Sequence, residues 1–159
     1  MLRLQAWANL MKLNHINVVA RDAEALAGFY RKVFSLELLR GPTTISGEKV
    51  SRGNGLPNSA IRSVWLKLPG SGAPFLEIHQ HEVTHDRAQP RVNEPGFSHL
   101  SFEVCDIGRT LTAIAEAGGG QVGEVTDFGS ADNPLLIVYA RDSEGNILEL
   151  EQFPATLGG

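Results

Sequence analysis

The chain has 159 residues, of which 42% are hydrophobic and 20% are charged, and its formal net charge is −4 at pH 7. This composition fits one globular domain or two small modules that share a sheet, and the negative charge argues against general nucleic-acid binding. Cys105 is the single cysteine, which excludes an intrachain disulfide and fits a reducing compartment. No run of 18 apolar residues exists, so a membrane span is not predicted.

Residues 1–12 form a predicted N-terminal arm. Basic and apolar residues are mixed in this segment and no cleavage site follows an apolar stretch, so the pattern is not typical of a secretory signal. Leu4, Trp7 and Met11 recur at helical spacing, which favours a short amphipathic helix. The alternative is an unstructured or misassigned extension, because Met11 could itself be the start. With either interpretation we expect a cytoplasmic protein.

A first module is predicted over residues 13–82. Its strands alternate apolar and polar residues, and Asp22 is a candidate N-cap for its helix. In chain order we predict a strand, a helix, a long loop and two strands: 13–20, 22–36, a loop that includes 41–60, then 61–68 and 74–81. Pro69 and Gly70 begin the turn between the last two strands.

A second module is predicted over residues 97–153, after a polar linker that contains proline. Asp106 is again a candidate N-cap, and the helix after it ends at glycines 118–120. The predicted strands are 97–104, 134–140 and 146–153, and the last two are joined by a turn over 142–145. Residues 154–159 are a predicted C-terminal tail.

The two modules repeat one pattern. His15 corresponds to His99 at an offset of 84 residues, and Glu77 corresponds to Glu149 at an offset of 72. The difference of 12 residues fits a longer loop in the first half. We therefore predict one α+β domain over residues 13–153, made of two βαβββ modules that form a curved, cup-shaped mixed sheet.

The repeat predicts a metal site, because side chains in a strand alternate between the two faces of a sheet. If the modules meet pseudosymmetrically, His15, Glu77, His99 and Glu149 lie on polar faces that converge. Imidazoles and carboxylates suit a divalent first-row ion, and two carboxylates balance its charge. A lone histidine on a strand is more often a surface or hydrogen-bonded residue, but duplication at corresponding places favours metal ligation. The ion would bind two adjacent substrate oxygens as a Lewis acid.

At these residues the sequence resembles the vicinal oxygen chelate superfamily, which includes glyoxalase I, methylmalonyl-CoA epimerase, extradiol dioxygenases and the bleomycin and fosfomycin resistance proteins. The resemblance covers about residues 12–153. The segments on which the resemblance rests are LNHINVVARDAEALAGFYRKVFSLELL, FLEIHQ, GFSHLSFEV and YARDSEGNILELEQ. It implies a glyoxalase-like fold, a homodimer, and a divalent ion (Ni, Zn, Mn, Co or Fe) held by the ligands His15, Glu77, His99 and Glu149.

Several activities are compatible with this resemblance. All four positions match the ligand types of bacterial glyoxalase I, whereas methylmalonyl-CoA epimerase usually has Gln where Glu77 stands. Extradiol dioxygenases use two His and one Glu, which would be His15, His99 and Glu149. Bleomycin-binding relatives lack the ligands, and the residues that bind glutathione in glyoxalase I are not matched here.

The leading hypothesis is a metal-dependent lyase or isomerase that acts on a small molecule with adjacent oxygens. Glu77 or Glu149 would transfer the proton at the neighbouring carbon. The runner-up is an Fe(II) extradiol-type dioxygenase, and the third hypothesis is a metal-free ligand-binding or resistance protein.

The remaining candidate residues are interpreted as lining, surface or core positions. His79 lies on the same strand face as Glu77 and is interpreted as a partly exposed lining residue, with a supporting or proton-shuttling role as the alternative. Three arginines could contact an anionic substrate, although each taken singly is more simply a surface residue: Arg52, Arg62 and Arg91. Tyr30 and Trp65 are most simply core residues.

Overall fold

The computed structural model describes residues 11–154. Positions 1–10 of the predicted arm and 155–159 of the predicted tail lie outside the described residues. The chain divides into two compact units: the first comprises residues up to Ala27 together with Ser35–Thr84, and the second comprises Gly28–Phe34 and the chain from His85 onward. Within 11–154, no helix is long and apolar enough to cross a membrane.

The first half of the chain forms one mixed sheet. The elements are β1 (His15–Val19), α1 (Ala23–Phe34), β2 (Glu37–Ser46), α2 (Glu48–Asn54), β3 (Ala60–Lys67) and β4 (Phe75–His81). The strand order is β1-β4-β3-β2. β1 and β4 are parallel, and the other neighbours are antiparallel.

The second half of the chain repeats this topology. Its elements are β5 (His99–Glu103), α3 (Ile107–Glu116), β6 (Gly120–Gln121), β7 (Thr126–Asp127), β8 (Leu136–Arg141) and β9 (Ile147–Gln152). The strand order is β5-β9-β8-β6, and β7 also pairs with β8. The first and last strands, β5 and β9, are again parallel, so the predicted repeat of strand, helix and further strands is confirmed.

Both long helices begin at the predicted aspartates. Asp22 Oδ1 accepts hydrogen bonds from two backbone N–H groups in the first turn of α1, at 3.0 and 2.9 Å, and Asp106 Oδ1 accepts one in α3 at 2.9 Å. A glutamine from the last strand of the same half adds a further cap. Gln80 accepts from the first N–H of α1 at 3.2 Å, and Gln152 accepts from the first N–H of α3 at 2.8 Å. These bonds satisfy N–H groups that a helix leaves unpaired and tie each helix start to its parallel strand pair.

The long loop predicted over 41–60 is wrong in part. β2 continues to Ser46 and α2 occupies Glu48–Asn54. β2 forms the edge of its sheet, and alternation between half-buried and exposed residues begins only at Gly41. Glycine, proline and threonine on a half-exposed edge strand resemble a loop in sequence, because pairing on one side needs no continuous apolar pattern.

The core of the second unit includes part of α1. Phe34 stacks on Phe102 with ring centres 4.0 Å apart, and Phe29 contacts Tyr30 edge to face at 5.3 Å. Although α1 lies in the first half of the chain, these aromatic residues belong to the second unit. The buried apolar residues of that unit also include Ile107, Ile114, Val138, Ala140, Ile147, Leu148 and Leu150.

Tyr30 carries a buried hydrogen bond in that core, where the sequence predicted it. It is fully buried, and its hydroxyl donates to Asp142 Oδ2 at 2.8 Å. Asp142 is itself 2% exposed and also accepts from the side chain of Asn146 at 2.8 Å. Burial, followed by the Asp142 charge and this hydrogen bond, raises the pKa of Tyr30 well above the ordinary tyrosine value.

We predict that Tyr30→Phe lowers the free energy of unfolding by about 1.5–3 kcal/mol, because it leaves a buried carboxylate without one donor. Since the pKa of Tyr30 is raised in the folded state, its contribution is complete below about pH 10 and is lost as the pH rises through the folded pKa. Urea unfolding at pH 7 and above pH 10 measures both effects.

The chain's other tyrosine, Tyr139, provides the control. Tyr139→Phe is expected to cost less than about 1 kcal/mol, because this residue is half-buried. Equal losses in the two variants would contradict the assignment of the stabilisation to the Tyr30–Asp142 bond.

Candidate active site

Each unit places one candidate histidine beside one candidate glutamate by the same strand register. In the parallel pairs β1–β4 and β5–β9, Asn17 lies opposite Glu77 and Ser101 lies opposite Glu149. Asn17 and Ser101 each come two residues after the candidate histidine and therefore share its face of the sheet. The offsets found in the sequence thus correspond to equivalent positions in the two sheets.

In the first pair, the carboxylate of Glu77 is largely shielded from water. Glu77 is 9% exposed; its Oε2 accepts a hydrogen bond from Asn17 Nδ2 at 3.0 Å and lies 3.3 Å from Nε2 of His15. On the other side, Nε2 of His79 lies 3.1 Å from Oε1, yet this buried nitrogen has no partner in hydrogen-bond geometry. Glu77 therefore has three polar neighbours, of which only Asn17 is well aligned.

The second pair has a slightly more exposed glutamate and a less exposed histidine than the first. Nε2 of His99 lies 3.4 Å from Oε2 of Glu149, and the side chains are 29% and 16% exposed. Tyr139 packs edge to face against His99 with ring centres 5.4 Å apart. Hydrogen bonding to Glu149, followed by burial and the nearby carboxylate charges, raises the pKa of Tyr139. Tyr139 lies opposite Glu149 in the antiparallel ladder, as Trp65 lies opposite Glu77 in the first unit.

The structure brings His15 to Glu77 and His99 to Glu149. Over residues 11–154, no three or more His, Cys, Asp or Glu side chains gather in the arrangement of a metal-ion site. In the first unit this agrees with the geometry, because His15 and His79 approach different oxygens of the same carboxylate. The four-ligand centre stays a prediction.

The arginines that the sequence suggested for anion contacts lie elsewhere. Arg62 forms an ion pair with Glu24 at 2.6 Å, and Arg52 pairs with Glu48 at 3.7 Å on the exposed side of α2. Arg91 is exposed. None of the three lines the cavity described next.

A small cavity adjoins Glu77 on the same sheet face. Most of the residues that line it were not predicted as site residues from the sequence. Its volume is about 40 Å³, and it is lined by Arg40, Thr43, Ile45, Ser63, Trp65 and Glu77. Trp65, predicted as core, is a half-buried wall of this cavity. Two of the cavity residues on β2, Thr43 and Ile45, fall within the loop predicted over 41–60, and the available signal was their two-residue spacing on one face of a strand.

An irregularity in β2 sets the position of Arg40. The pairing of β2 with β3 shifts register on both sides of Arg40, which lies opposite Trp65. Gly41 follows with a φ of 94°, and a Cβ there would lie 2.5 Å from the carbonyl oxygen of Ser63. Register shifts of this kind re-aim side chains at the edges of sheets, and here glycine is required both by the backbone angle and by the close approach.

The chain matches the model of the Glyoxalase/Bleomycin resistance protein/Dioxygenase superfamily over residues 12–150. It therefore belongs to this superfamily, as the resemblance in its sequence implied. The predicted fold class, α+β with a glyoxalase-like fold, is also confirmed.

Two curated relatives are epimerases. The chain is 22% identical to the mitochondrial methylmalonyl-CoA epimerase of Homo sapiens over 144 residues, which cover 91% of this chain and 75% of that protein. It is 25% identical to the ethylmalonyl-CoA/methylmalonyl-CoA epimerase of Cereibacter sphaeroides over 142 residues, with 89% and 97% covered. These names describe the relatives.

Solved structures share the fold at low identity. A glyoxalase family protein from Bacillus cereus superposes with a TM-score of 0.80 at 22% identity, over 90% of this chain and 94% of that one. A glyoxalase/bleomycin resistance protein/dioxygenase family enzyme from Burkholderia phytofirmans superposes with a TM-score of 0.61 at 14% identity, over 91% and 100%.

We predict that Gly41→Ala destabilises the protein by at least about 2 kcal/mol, because it combines an unfavourable backbone angle with a backbone clash. Gly55→Ala is the matched control: its φ is 76°, and nothing lies within 4 Å of a Cβ placed there. The control should lose about 1 kcal/mol, the cost of the left-handed angle alone. Urea unfolding of both variants checks this, and equal losses would exclude the close approach at Ser63 as a constraint.

Proposed function

We propose that this protein is a metal-dependent isomerase that moves a proton at the carbon next to a substrate carbonyl. The observation that carries the proposal is the His–Glu pair repeated at equivalent register positions in the two sheets. The epimerase relatives support an isomerase, and they make carboxylated acyl-CoA thioesters the first substrate class to test.

The donor set fits a divalent first-row ion. In the proposal, two imidazole nitrogens and two carboxylates supply the ligands: His15, Glu77, His99 and Glu149. Atoms bound at about 2.1 Å to one ion lie about 3.0 Å apart at a right angle and about 3.4 Å apart at the tetrahedral angle. The observed N–O separations of 3.3 and 3.4 Å agree with this range.

The surroundings of the ligands also fit an ion. Glu77 is nearly buried and forms no ion pair with a lysine or arginine among the described residues, and an uncompensated buried carboxylate is costly. Ligation through Nε2 requires the imidazole proton on Nδ1. Asn14 and Ser98 lie 3.2 Å from Nδ1 of His15 and His99, respectively, and the hydroxyl or a suitably turned side-chain amide can accept that proton.

The protein residues have distinct roles in the proposed reaction. A divalent ion held there supplies Lewis-acid polarisation of two adjacent substrate oxygens. In the proposal, one of Glu77 and Glu149 would accept the proton from the neighbouring carbon on one face, and the protonated carboxyl group of the other would deliver a proton to the opposite face, which inverts the centre. Asn17 holds the Glu77 carboxylate through its hydrogen bond to Oε2, and Tyr139 is placed to do the same for Glu149.

We predict that Glu77→Gln and Glu149→Gln each lower the metal content and reduce turnover by about 10²–10⁴-fold, because each removes a ligand charge and a base. Wild-type protein should hold about one divalent ion per four-ligand set. Elemental analysis measures the metal, and NMR measures the exchange of the C2 proton of methylmalonyl-CoA in D₂O.

Exposed residues of the same types provide the controls. Glu124→Gln and His85→Ala should keep the wild-type metal content, whereas His99→Ala should lose it. Full metal and full exchange in both glutamine variants of the candidate pairs would overturn the proposal. Oxygen uptake on catechols by Fe(II)-loaded protein, without C2 exchange, would replace the isomerase with the dioxygenase.

A further inference from the structure

We propose that the cavity beside Glu77 is a subsite for a substrate carboxylate, and that the Arg40 guanidinium recognises it. The inference rests on the proposed function only in assigning this carboxylate to the substrate whose proton is transferred. The proposed substrates are therefore short carboxylic acids in which the same molecule carries the reacting carbon. Acyl thioesters with a free carboxylate belong to this class.

Arg40 is held in place but keeps its charge available. Its Cζ lies 4.8 Å from the centre of the Trp65 ring, and in the part of the chain that the structure describes it pairs with no carboxylate. An arginine stacked on an aromatic face still presents N–H donors in the plane of its guanidinium. This distinguishes Arg40 from Arg62 and Arg52, whose charges are already paired with glutamates.

The Trp65 ring beneath Arg40 is connected through Phe75 to His15, a candidate metal ligand. Trp65 donates from Nε1 to Ser63 Oγ at 3.0 Å and stacks on Phe75 with ring centres 4.6 Å apart. Phe75 in turn packs against the His15 ring at 5.2 Å. Arg40, Trp65, Phe75 and His15 thus form a continuous row across the first sheet. An anion bound by Arg40 lies on the same sheet face as the first His–Glu pair.

The size and lining of the cavity limit what can enter it. About 40 Å³ is little more than the roughly 30 Å³ that one water occupies in the liquid, so a carboxylate fits and a ring does not. Thr43 and Ser63 supply hydroxyl groups, whereas Ile45 supplies an apolar wall. The cavity therefore suits a carboxylate on a short carbon chain whose remainder stays outside.

The charge of Arg40 determines whether the cavity prefers an anion to a neutral group of the same shape. The cavity is also lined by Glu77, whose carboxylate repels a second one at short range. The Arg40 charge offsets that repulsion for an anion, and a neutral amide of the same shape gains nothing comparable from it. Replacement of Arg40 should therefore weaken binding of the acid far more than binding of its amide.

Trp65 reports on occupancy of the cavity. The chain has two tryptophans, and Trp7→Phe leaves Trp65 as the single indole, directly beneath Arg40. In this background, metal-free protein is titrated with malonate and, separately, with the neutral isostere malonamide, while Trp65 fluorescence is followed. We expect malonate to bind more tightly than malonamide and to lose affinity as salt is added.

Substitutions test the assignment. Arg40→Gln should weaken malonate binding at least about tenfold, Arg40→Lys should keep part of the affinity because it keeps the charge, and Arg52→Gln should bind like the parent. Circular dichroism establishes that each variant is folded, and Arg40→Lys retains the comparison if Arg40→Gln is not.

Equal malonate affinity in the folded Arg40 and Arg52 variants would overturn the proposal, as would equal affinity for malonate and malonamide, or no malonate binding. The measurement involves neither metal nor turnover. Failure of the isomerase proposal therefore leaves this test intact, and failure of this test leaves the metal and exchange measurements standing.

Discussion

The parallel pairing of the first and last strands in each half of the chain is the constraint on which the site depends. A parallel register places residues on neighbouring strands in fixed correspondence, and the two-residue side-chain period then decides which of them share a face. A slip of one residue would turn Glu77 or Glu149 to the opposite face of its sheet. Gln80 and Gln152 tie each of these strands to the start of a helix, so the helix cap and the site share one strand.

The two His–Glu pairs differ in the surroundings of their carboxylates. Glu77 is nearly buried between Asn17 and two imidazoles, whereas Glu149 is more exposed and faces Tyr139. The repeat therefore duplicates the ligand types but not their surroundings. In the proposed reaction, different surroundings suit different roles for the two carboxylates, one as proton acceptor and the other as proton donor.

The first half of the chain adds a feature that the second half lacks. β2 is a long edge strand with an irregular register, whereas its counterparts β6 and β7 have two residues each. The irregularity places Arg40 over Trp65 and leaves a cavity beside Glu77. Departures from the repeat are therefore where we place substrate selection, while the repeated positions carry the proposed metal chemistry.

The amino-acid sequence alone determined the repeat, the two helix caps, the faces of the strands and the four candidate ligands. These features depend on local periodicity and on short-range hydrogen bonding, which can be recognised within a single segment of the sequence. The tertiary structure decided which aromatic residues of α1 belong to the second unit, how Asn17 and His79 surround Glu77, and that Arg40 rather than Arg62 lines the cavity. Those contacts depend on edge pairing, on register shifts and on packing between segments distant in the chain, and no local pattern encodes them.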